Sequence, residues 1–297
     1  MLYNMKELLE PTLTHHFAIP AFNTSNNMTL TASIEVAEEL NAPVIIEIHP
    51  SELAFVKDSF VSAVLAEAHN ASIPVCIHLD HGANMDEIVK AISLGFTSVM
   101  IDGSHLPFEE NVAQTKRVVE IAHAANVSVE AELGTIGTME GNQIIYTDPA
   151  DAKRFVEETG VDTLAIAIGT RHGLYPKGLI PKIELELLAE IRKAVDIPLV
   201  LHGGSNNPDD EIEQACLTGV SKLNISSDIK SAFYKKCREV LKDESLLEPN
   251  VIFPSCIEEM KKVMRQKMDL FHTTGKAAVY GRKGCDSQSV LEAGKVL

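Results

Sequence analysis

Residues 75–101, VCIHLDHGANMDEIVKAISLGFTSVMI, contain one full repeat of the pattern that decides the fold. The first five residues form a mainly apolar run, a helical segment follows, and a second run covers Ser98 to Ile101. Asn84 followed by Glu87 predicts a capped helix start, and Gly95 predicts the end of that helix. The stretch is therefore predicted to fold as a strand, a helix and a second strand.

This strand-then-helix pattern occurs eight times along the chain. Most runs are continuously hydrophobic rather than alternating, as expected for parallel strands that are covered on both faces. Asp148-Pro149 with Gly160, and Asn207-Pro208 with Gly219, give further helix starts and stops. Eight such units predict an α/β fold, a closed (β/α)8 TIM barrel, with a doubly wound open sheet as the alternative. The predicted strands are Phe17 to Ala21, Val44 to Ile48, Val75 to Leu79, Ser98 to Ile101, Ser128 to Ala131, Thr163 to Ile168, Leu199 to Leu201 and Lys222 to Ile225.

The chain continues beyond the eighth predicted helix, which covers Ser227 to Lys242. Ser255 to Phe271 is predicted to form an additional C-terminal helix. From about Thr273 onward the sequence is polar and contains glycine, and we expect it to be mobile. The domain organisation is accordingly one barrel domain at 1–275 and a polar tail at 276–297.

The composition is that of an ordinary globular protein with an acidic surface. Hydrophobic residues make up 45% and charged residues 23% of the chain, and the formal net charge is −16. Such a charge argues against nucleic acid and anionic membrane surfaces as partners. No stretch approaches the roughly 20 apolar residues of a membrane span, and MLYNMKELLE does not read as a signal segment. The five cysteines lack C-x-x-C spacing, so a reducing cytoplasm is the predicted location.

Polar and ionisable residues follow the predicted strands at the end where barrel enzymes place their active sites. Their concentration at one rim is the main sequence evidence for an enzyme. In strand order they are Asn23, His49-Pro50-Ser51, Asp80-His81-Gly82, Asp102, Glu132, Arg171-His172-Gly173, His202-Gly203-Gly204-Ser205, and Asn224 with Ser226-Ser227-Asp228.

Three of these residues, His81, His172 and His202, are candidate ligands of one divalent metal ion. Each follows a different strand, and three neutral imidazoles leave a coordination position open for a substrate, as in catalytic zinc sites. Each is followed by glycine, which allows the backbone to approach a ligand closely. His78, within a strand, and His105, in a loop, are rival ligands.

Asp102 and Glu132 should lie near the same strand ends. One interpretation is that they orient the histidines by hydrogen bonds. The other is that they form an alternative metal position. The residue pattern favours neither interpretation.

Two segments predict a phosphate site. Gly203-Gly204-Ser205 follows the seventh strand, and Asn224-Ile225-Ser226-Ser227 opens the helix after the eighth. Loops in these places, together with a helix N-terminus, form the recurring phosphate site of such barrels. On an acidic protein, a metal ion and helix N-termini supply the positive potential that a phosphate ester requires.

These motifs together resemble the class II, metal-dependent ketose-bisphosphate aldolases, in particular the bacterial tagatose- and fructose-bisphosphate aldolases. The resemblance extends from about Asn4 to Gly275. The motifs that carry it, in order, are HLDHG at 78–82, MIDGSH at 100–105, EAELG at 130–134, HGLY at 172–175, LHGGS at 201–205 and KLNI at 222–225.

The resemblance implies one zinc ion on His81, His172 and His202, with Asp80 as the acid/base group. It implies a mobile loop after the fifth strand whose glutamate, by spacing, is Glu140. It also implies a sugar-phosphate substrate and a homodimer or homotetramer. The implied phosphate contacts, with a sodium or potassium ion nearby, are Gly173, Gly203, Gly204, Ser205, Asn224, Ile225, Ser226 and Ser227.

Physical chemistry is consistent with these roles. Carbon–carbon cleavage leaves a negative charge that a metal ion stabilises. Asp80 could remove and return the C4 hydroxyl proton. Glu140 on a closing loop could exchange the carbon-bound proton of dihydroxyacetone phosphate, and the alternative is a solvated loop carboxylate.

The sequence departs from the family pattern at two places. His49-Pro50-Ser51 stands where the family commonly has a serine-bearing, glycine-rich turn, and Arg171 stands where a small or uncharged residue is common. Both positions are expected to bear on recognition of the distal end of the substrate. Arg171 has two interpretations, a salt bridge to an acidic neighbour or a contact with a distal phosphate or carboxylate.

Two rival functions remain at this stage. A Schiff-base aldolase needs a lysine inside the barrel, and Lys222 is near a strand but at its entry, where a salt-bridged lysine at the bottom of the barrel is the simpler interpretation. A non-catalytic barrel subunit should have lost metal ligands, whereas this chain keeps Asp80 and all three histidines.

Overall fold

The computed structural model describes residues 1–138, 144–173, 175 and 181–281. Eight parallel strands close into a barrel in the order β1-β2-β3-β4-β5-β7-β9-β10, with β10 pairing back to β1, and β6 and β8 form a separate two-stranded sheet. The predicted (β/α)8 TIM barrel is confirmed. The strands are β1 (Ile19–Asn23), β2 (Val44–Ile48), β3 (Val75–Gly82), β4 (Ser98–Ile101), β5 (Ser128–Leu133), β6 (Gly137–Thr138), β7 (Thr163–Ile166), β8 (Arg171–His172), β9 (Leu199–Leu201) and β10 (Val220–Ile225).

Helices alternate with the barrel strands and cover them on the outside. The helices are α1 (Met5–Leu9), α2 (Thr12–His15), α3 (Asn27–Glu39), α4 (Pro50–Val56), α5 (Asp58–Asn70), α6 (Met85–Leu94), α7 (Phe108–Ala124), α8 (Pro149–Thr159), α9 (Leu185–Ala194), α10 (Asp209–Thr218), α11 (Ser227–Val240), α12 (Pro249–Leu270) and a 3-10 helix at Lys276–Val279. None of the helices formed by the described residues is long and apolar enough to cross a membrane.

Helix ends follow the predicted chemistry with one exception. Asn84 caps α6 by accepting a hydrogen bond from the Glu87 N–H at 3.0 Å, and Gly95 ends the helix with a left-handed φ of 96°. Asp148 caps α8 in the same way. The exception is α10, where Pro208 is the N-cap residue itself. Asn207 does not cap this helix because its side-chain amide donates to the carbonyls of the preceding loop.

Three barrel strands run further toward their carboxyl ends than their hydrophobic runs predicted. The first continues to Asn23, the third to Gly82 and the fifth to Leu133, so the predicted rim residues Asn23, Asp80, His81 and Glu132 lie within strands rather than after them. The first strand also begins later than predicted, at Ile19 instead of Phe17. Asp80 and His81 have hydrogen-bond partners from other parts of the barrel, whereas one oxygen of Glu132 has none among the described residues. The carboxyl ends of the strands therefore form the polar rim.

The additional C-terminal helix exists but begins earlier than predicted, at Pro249 instead of Ser255. Proline is well suited to the first helical turn, because its missing N–H has no partner there anyway. The helix packs on α3 and α11, and its buried residues recur four apart along one side. These include Cys256, Met260, Met264 and Met268.

The segment from Thr273, which the sequence suggested would be mobile, is packed on the barrel as far as residue 281. Thr273 is fully buried and donates to the Ala18 carbonyl. Tyr280 is also buried, and its hydroxyl donates to the Leu8 carbonyl at 2.6 Å. The first part of the predicted tail, to residue 281, is thus packed against the N-terminal end of the barrel. The remainder of the tail, 282–297, lies outside the described residues.

Candidate active site

A cavity of about 660 Å³ opens at the carboxyl ends of the barrel strands. It is the place where the sequence predicted the site. Most of its lining consists of the polar residues identified from the sequence, contributed by strands on all sides of the barrel. Those residues are Asn23, His49, Ser51, Asp80, His81, Asp102, His105, Glu132, His172, Gly173, Gly203, Ser205, Asn224, Ser226 and Ser227.

The structure brings His81, His172 and His202 together from β3, β8 and the end of β9. One ring nitrogen of each lies within 4.8 Å of the others. His81 Nε2 and His202 Nδ1 lie 3.0 Å apart. Nitrogens bound tetrahedrally at about 2.0–2.1 Å from a zinc ion stand about 3.3 Å apart, so this separation suits two ligands of one ion.

Carboxylates lie behind two of the three imidazoles. Asp102 Oδ2 is 2.9 Å from His81 Nδ1, and Glu130 Oε1 is 2.9 Å from His202 Nε2. Each contact fixes the orientation of the ring so that its other nitrogen faces the other histidines. Carboxylates that hydrogen-bond to metal-binding histidines orient them in the same way. Asp102 therefore occupies the orienting position. Glu130 appeared in a quoted motif but received no role from sequence reasoning, because its partner is 72 residues away.

Glu132 occupies a different place from Asp102. Its Oε2 is 3.5 Å from His202 Nδ1, is buried, and has no hydrogen-bond partner among the described residues. Burial and the charge of Asp102 raise the pKa of Glu132 to about 8. An unpaired buried oxygen beside the histidine trio fits a metal ion. Glu132 also groups with His81 and Asp102 as an alternative donor set.

The electrostatic setting of the trio favours one positive charge. Burial opposes a charge on His81, but Asp80 and Asp102 overcome it and raise the pKa of His81 to about 10. Burial and the charge of His81 lower the pKa of His172 to about 3. Burial likewise lowers the pKa of His202. The carboxylates thus favour a positive charge on His81, while burial disfavours one on His172 and His202, and the neutral imidazole is the form that binds a metal.

Asp80 is held beside the trio by two side-chain amides. Asn23 Nδ2 donates to one carboxylate oxygen at 2.9 Å, and Asn224 Nδ2 donates to the other at 3.1 Å. Burial opposes the charge of this carboxyl, but His81 at 3.7 Å and other nearby cationic groups hold the pKa of Asp80 well below its usual range. Asp80 is therefore a preorganised acceptor that faces the cavity.

The backbone next to His81 and His202 is too crowded for a side chain on the residue that follows each histidine, and that residue is glycine in both cases. His81 has a left-handed φ of 48°, a conformation that costs energy for a residue with a side chain and that clusters at functional sites. A Cβ on Gly82 would lie 2.6 Å from the Met100 carbonyl oxygen. Gly203 has a φ of 66°, and a Cβ there would collide with the Arg171 carbonyl. Glycine at these two positions lets neighbouring strand ends approach closely.

The predicted phosphate residues divide into two groups. Gly173, Gly203, Ser205, Asn224, Ser226 and Ser227 line the cavity. Gly204 and Ile225 are not among its described lining residues. The Gly204 N–H donates to the Asn224 carbonyl at 3.2 Å, and the Ile225 side chain belongs to the hydrophobic core. These two residues support the loops rather than face the cavity.

His49, Ser51 and Arg171, which were predicted to recognise the distal end of the substrate, also have local structural roles. His49 is the N-cap of α4, accepting from the Ser51 N–H at 3.1 Å, and both side chains line the cavity. Arg171 is partly buried, and its N–H donates to the Tyr175 hydroxyl at 2.7 Å. Arg171 is not one of the described residues that line the cavity. Glu140 lies outside the described residues.

The rival ligands occupy different surroundings. His78 is fully buried in β3, where its Nδ1 pairs with the Ser98 hydroxyl at 2.9 Å, and it groups with Glu47 and Asp80 as another set that could hold a metal. Burial and the charge of Lys222 lower the pKa of His78 to about 3. His105 lines the cavity, but among the described residues it joins none of the groups that could hold a metal.

The sequence placed Lys222 at the entry of its strand as a salt-bridged lysine; the structure confirms the salt bridge, but Lys222 is the third residue of β10. Because β10 begins at Val220, Lys222 lies fully buried inside the barrel. Its Nζ is 3.0 and 3.1 Å from the two oxygens of Glu130 and 3.6 Å from Glu47. Burial opposes its charge, but these two carboxylates raise the pKa of Lys222. A charged, ion-paired amine is a poor nucleophile, so a Schiff base at Lys222 is disfavoured.

Lys222→Met should destabilise the protein by about 3–5 kcal/mol, because it leaves buried carboxylates without a compensating charge. The midpoint of guanidinium unfolding in metal-free samples measures the effect. Lys262→Met removes an exposed lysine paired with Glu259 and should change the midpoint little. Lys222→Met/Glu130→Gln should recover part of the loss. Equal midpoints for Lys222→Met and the parent would show that the buried pair is not stabilising.

The fold and the place of the site define an enzyme of the TIM-barrel class, with its reaction centre at the carboxyl ends of the strands. The family model for class-II fructose-bisphosphate aldolase matches residues 3–276, and the chain belongs to that family. It is therefore an aldolase, a lyase that cleaves carbon–carbon bonds, of a class that depends on a metal. The resemblance inferred from the motifs is confirmed.

Solved structures agree with this assignment. The YdjI aldolase from Escherichia coli K12 is 34% identical, with a TM-score of 0.85 over 93% of this chain and 100% of that one. A putative fructose-1,6-bisphosphate aldolase from Coccidioides immitis is 32% identical, with a TM-score of 0.84 over 92% and 97%. Fructose-bisphosphate aldolase from Campylobacter jejuni is 26% identical, with a TM-score of 0.79 over 93% and 97%.

Proposed function

We propose that the protein is a zinc-dependent aldolase that reversibly cleaves a ketose 1,6-bisphosphate, of the tagatose or fructose type, to dihydroxyacetone phosphate and an aldehyde. The observation that carries the proposal is the convergence of His81, His172 and His202 beside Asp80. Three imidazoles and a fixed carboxylate at one cavity supply a metal site and an acid/base group together.

Zinc, when bound to the three histidines, supplies a Lewis acid that stabilises the negative charge formed on the ketone and hydroxyl oxygens during cleavage. Asp80 accepts the C4 hydroxyl proton, and it is ready to do so because Asn23 and Asn224 fix both of its oxygens. In condensation, Asp80 returns that proton to the forming hydroxyl. Glu140 is proposed to exchange the carbon-bound proton of dihydroxyacetone phosphate.

The phosphate at C1 is proposed to bind between the loop after β9 and the N-terminus of α11. Ser205, Ser226 and Ser227 line the cavity there. A helix N-terminus offers unpaired N–H groups and a favourable dipole to an anion. A sodium or potassium ion beside this phosphate, and a homodimer or homotetramer, are further proposals from the family resemblance.

A substrate screen tests the proposal most directly. Ketose 1-phosphates and ketose 1,6-bisphosphates are incubated with zinc-loaded protein, and release of dihydroxyacetone phosphate is coupled to its reduction. We expect release from at least one bisphosphate. No release from any ketose 1-phosphate would contradict the proposal, and it would favour the non-catalytic barrel subunit.

A second candidate is cleavage of another ketose 1-phosphate, such as the phosphate of a sugar acid. It is favoured by His49 and Ser51, which line the cavity where the family commonly has a glycine-rich turn. A changed lining at the distal end alters the group that the site accepts, while the C1 end stays the same. Release from a sugar-acid phosphate at a higher kcat/KM than from either bisphosphate would select this candidate.

Arg171→Ala tests whether a distal anion is recognised through this guanidinium. Loss of one charge-assisted contact should lower kcat/KM roughly ten- to a hundred-fold for a substrate with a charged distal end. A matched substrate that ends in a neutral hydroxyl should be largely unaffected. The two kcat/KM ratios are measured side by side. Equal losses for both substrates would assign Arg171 a structural role.

A further inference from the structure

Lys267 lies near the C-terminal end of the additional helix α12, outside the barrel, yet it reaches toward the active-site rim. Its side chain is only 6% exposed. The Nζ atom is 3.1 Å from Asp228 Oδ2 and 3.9 Å from Asp209 Oδ1. Burying an ammonium is costly unless a carboxylate pairs with it, and Asp228 is the partner at 3.1 Å.

Asp228 connects two parts of the proposed phosphate site. It lies in the first turn of α11, directly after Ser226 and Ser227. Its Oδ2 accepts from the Asn206 N–H at 3.2 Å, and its own N–H donates to the Ser205 hydroxyl at 3.3 Å. The carboxylate thus ties the loop after β9 to the start of α11.

The same carboxylate creates an electrostatic problem. A negative charge in the first turn of a helix is favourable for the helix dipole, but it opposes a second anion at that N-terminus. The proposed phosphate site lies next to this charge along the chain, because Ser226 and Ser227 line the cavity directly before Asp228, which is itself not among the described lining residues. The neighbouring Asp209 adds to the problem, and the protein carries a net charge of −16.

We infer that Lys267 is a positioning residue for the substrate phosphate. It offsets the charge of Asp228 and fixes the carboxylate that ties the two phosphate-binding segments together, so that α11 can receive an anion. This inference rests on the proposed function, and it assigns the additional helix α12 a role in phosphate binding through Lys267. Lys267 does not line the cavity itself, among the residues described there, so it acts through Asp228.

A purely structural ion pair makes a different prediction from a positioning residue. If Lys267 only stabilises the packing of α12, its loss lowers stability without a specific effect on phosphate. If it offsets Asp228, then removing the Asp228 charge as well should restore phosphate binding. The distinction therefore depends on a charge-neutral double variant, not on the single variant alone.

The experiment compares the zinc-loaded parent with Lys267→Met, Lys267→Arg and Lys267→Met/Asp228→Asn. Lys262→Met is the matched control, because Lys262 lies on the same helix but is exposed and pairs with Glu259. The dissociation constant of inorganic phosphate is measured by calorimetry, and kcat and KM are measured with the substrate found in the screen. Zinc content is measured for each protein.

Lys267→Met should raise the phosphate dissociation constant and KM about ten-fold, with little change in kcat or zinc content. Lys267→Arg and the double variant should restore both values to near those of the parent, and Lys262→Met should match the parent. Phosphate binding unchanged in Lys267→Met would overturn the inference alone. A double variant as weak as the single would also overturn it, because packing would then explain the loss. No phosphate binding by the parent would overturn the proposed phosphate site together with this inference.

Discussion

Prolonged chelation should abolish cleavage activity, and added zinc or cobalt should restore it. The reason is that a zinc ion would stabilise the charge that develops in carbon–carbon cleavage, whereas Lys230, which lines the described part of the cavity, is already paired with Glu52. The three imidazoles converge on one point, and Lys222 is buried in its own ion pairs. Borohydride added with substrate should leave the enzyme active, because no imine forms. Activity is followed by release of dihydroxyacetone phosphate, with metal content measured in the same samples.

His202→Ala provides the matched variant for this experiment. It removes one proposed ligand, and it should lower both the zinc content and the activity, whereas excess zinc should restore activity only in part. The His105→Ala control removes an imidazole that lines the same cavity outside the described metal-holding groups, and its zinc content should stay at the parent level. Full activity in a parent sample shown to be free of metal would refute the zinc-dependent mechanism.

The parts of the fold that the sequence predicted well are those that depend on local pattern. Parallel strands covered on both faces are buried throughout, so runs such as Val44–Ile48 are recognisable without knowledge of their neighbours. The rim residues were predictable for a related reason, since parallel strands in a barrel end on the same side. The helix cap at Asn84 also depends only on residues within one turn.

The parts that the sequence did not predict depend on partners distant along the chain. Glu130 is 92 residues from Lys222, and the pairing inside the barrel explains why both charges are buried. The β3 strand continues through Asp80 because amides from two other strands satisfy its carboxylate. The contact between Lys267 and Asp228 joins separate helices. No local periodicity carries such information.

The fixed position of Asp80 explains why it and Glu140 are proposed to transfer different protons. Asp80 is assigned the C4 hydroxyl proton, and Glu140 the carbon-bound proton of dihydroxyacetone phosphate. Asp80 lies beside His81 on a rigid strand, held in a fixed orientation by two amides. A carboxylate fixed in this way can transfer a proton to and from only one position of the substrate, the C4 hydroxyl. Glu140 comes from the segment after β6, outside the described residues, and is predicted to serve a different carbon. The two functions should therefore be separable by substitution.

Asp80→Ala should lower the rate of carbon–carbon cleavage about 10²- to 10⁴-fold, the usual effect of losing a general acid/base. Alanine is preferred to asparagine here, because an amide nitrogen would face the donors on Asn23 and Asn224. Exchange of the carbon-bound proton of dihydroxyacetone phosphate with deuterated solvent should persist in this variant, since that step does not involve the C4 hydroxyl. Glu140→Ala should suppress the exchange strongly. Exchange is measured by proton magnetic resonance, and zinc content should be equal in both variants and the parent. Equal effects of the two substitutions on exchange would show that the carboxylates do not divide the proton transfers in this way.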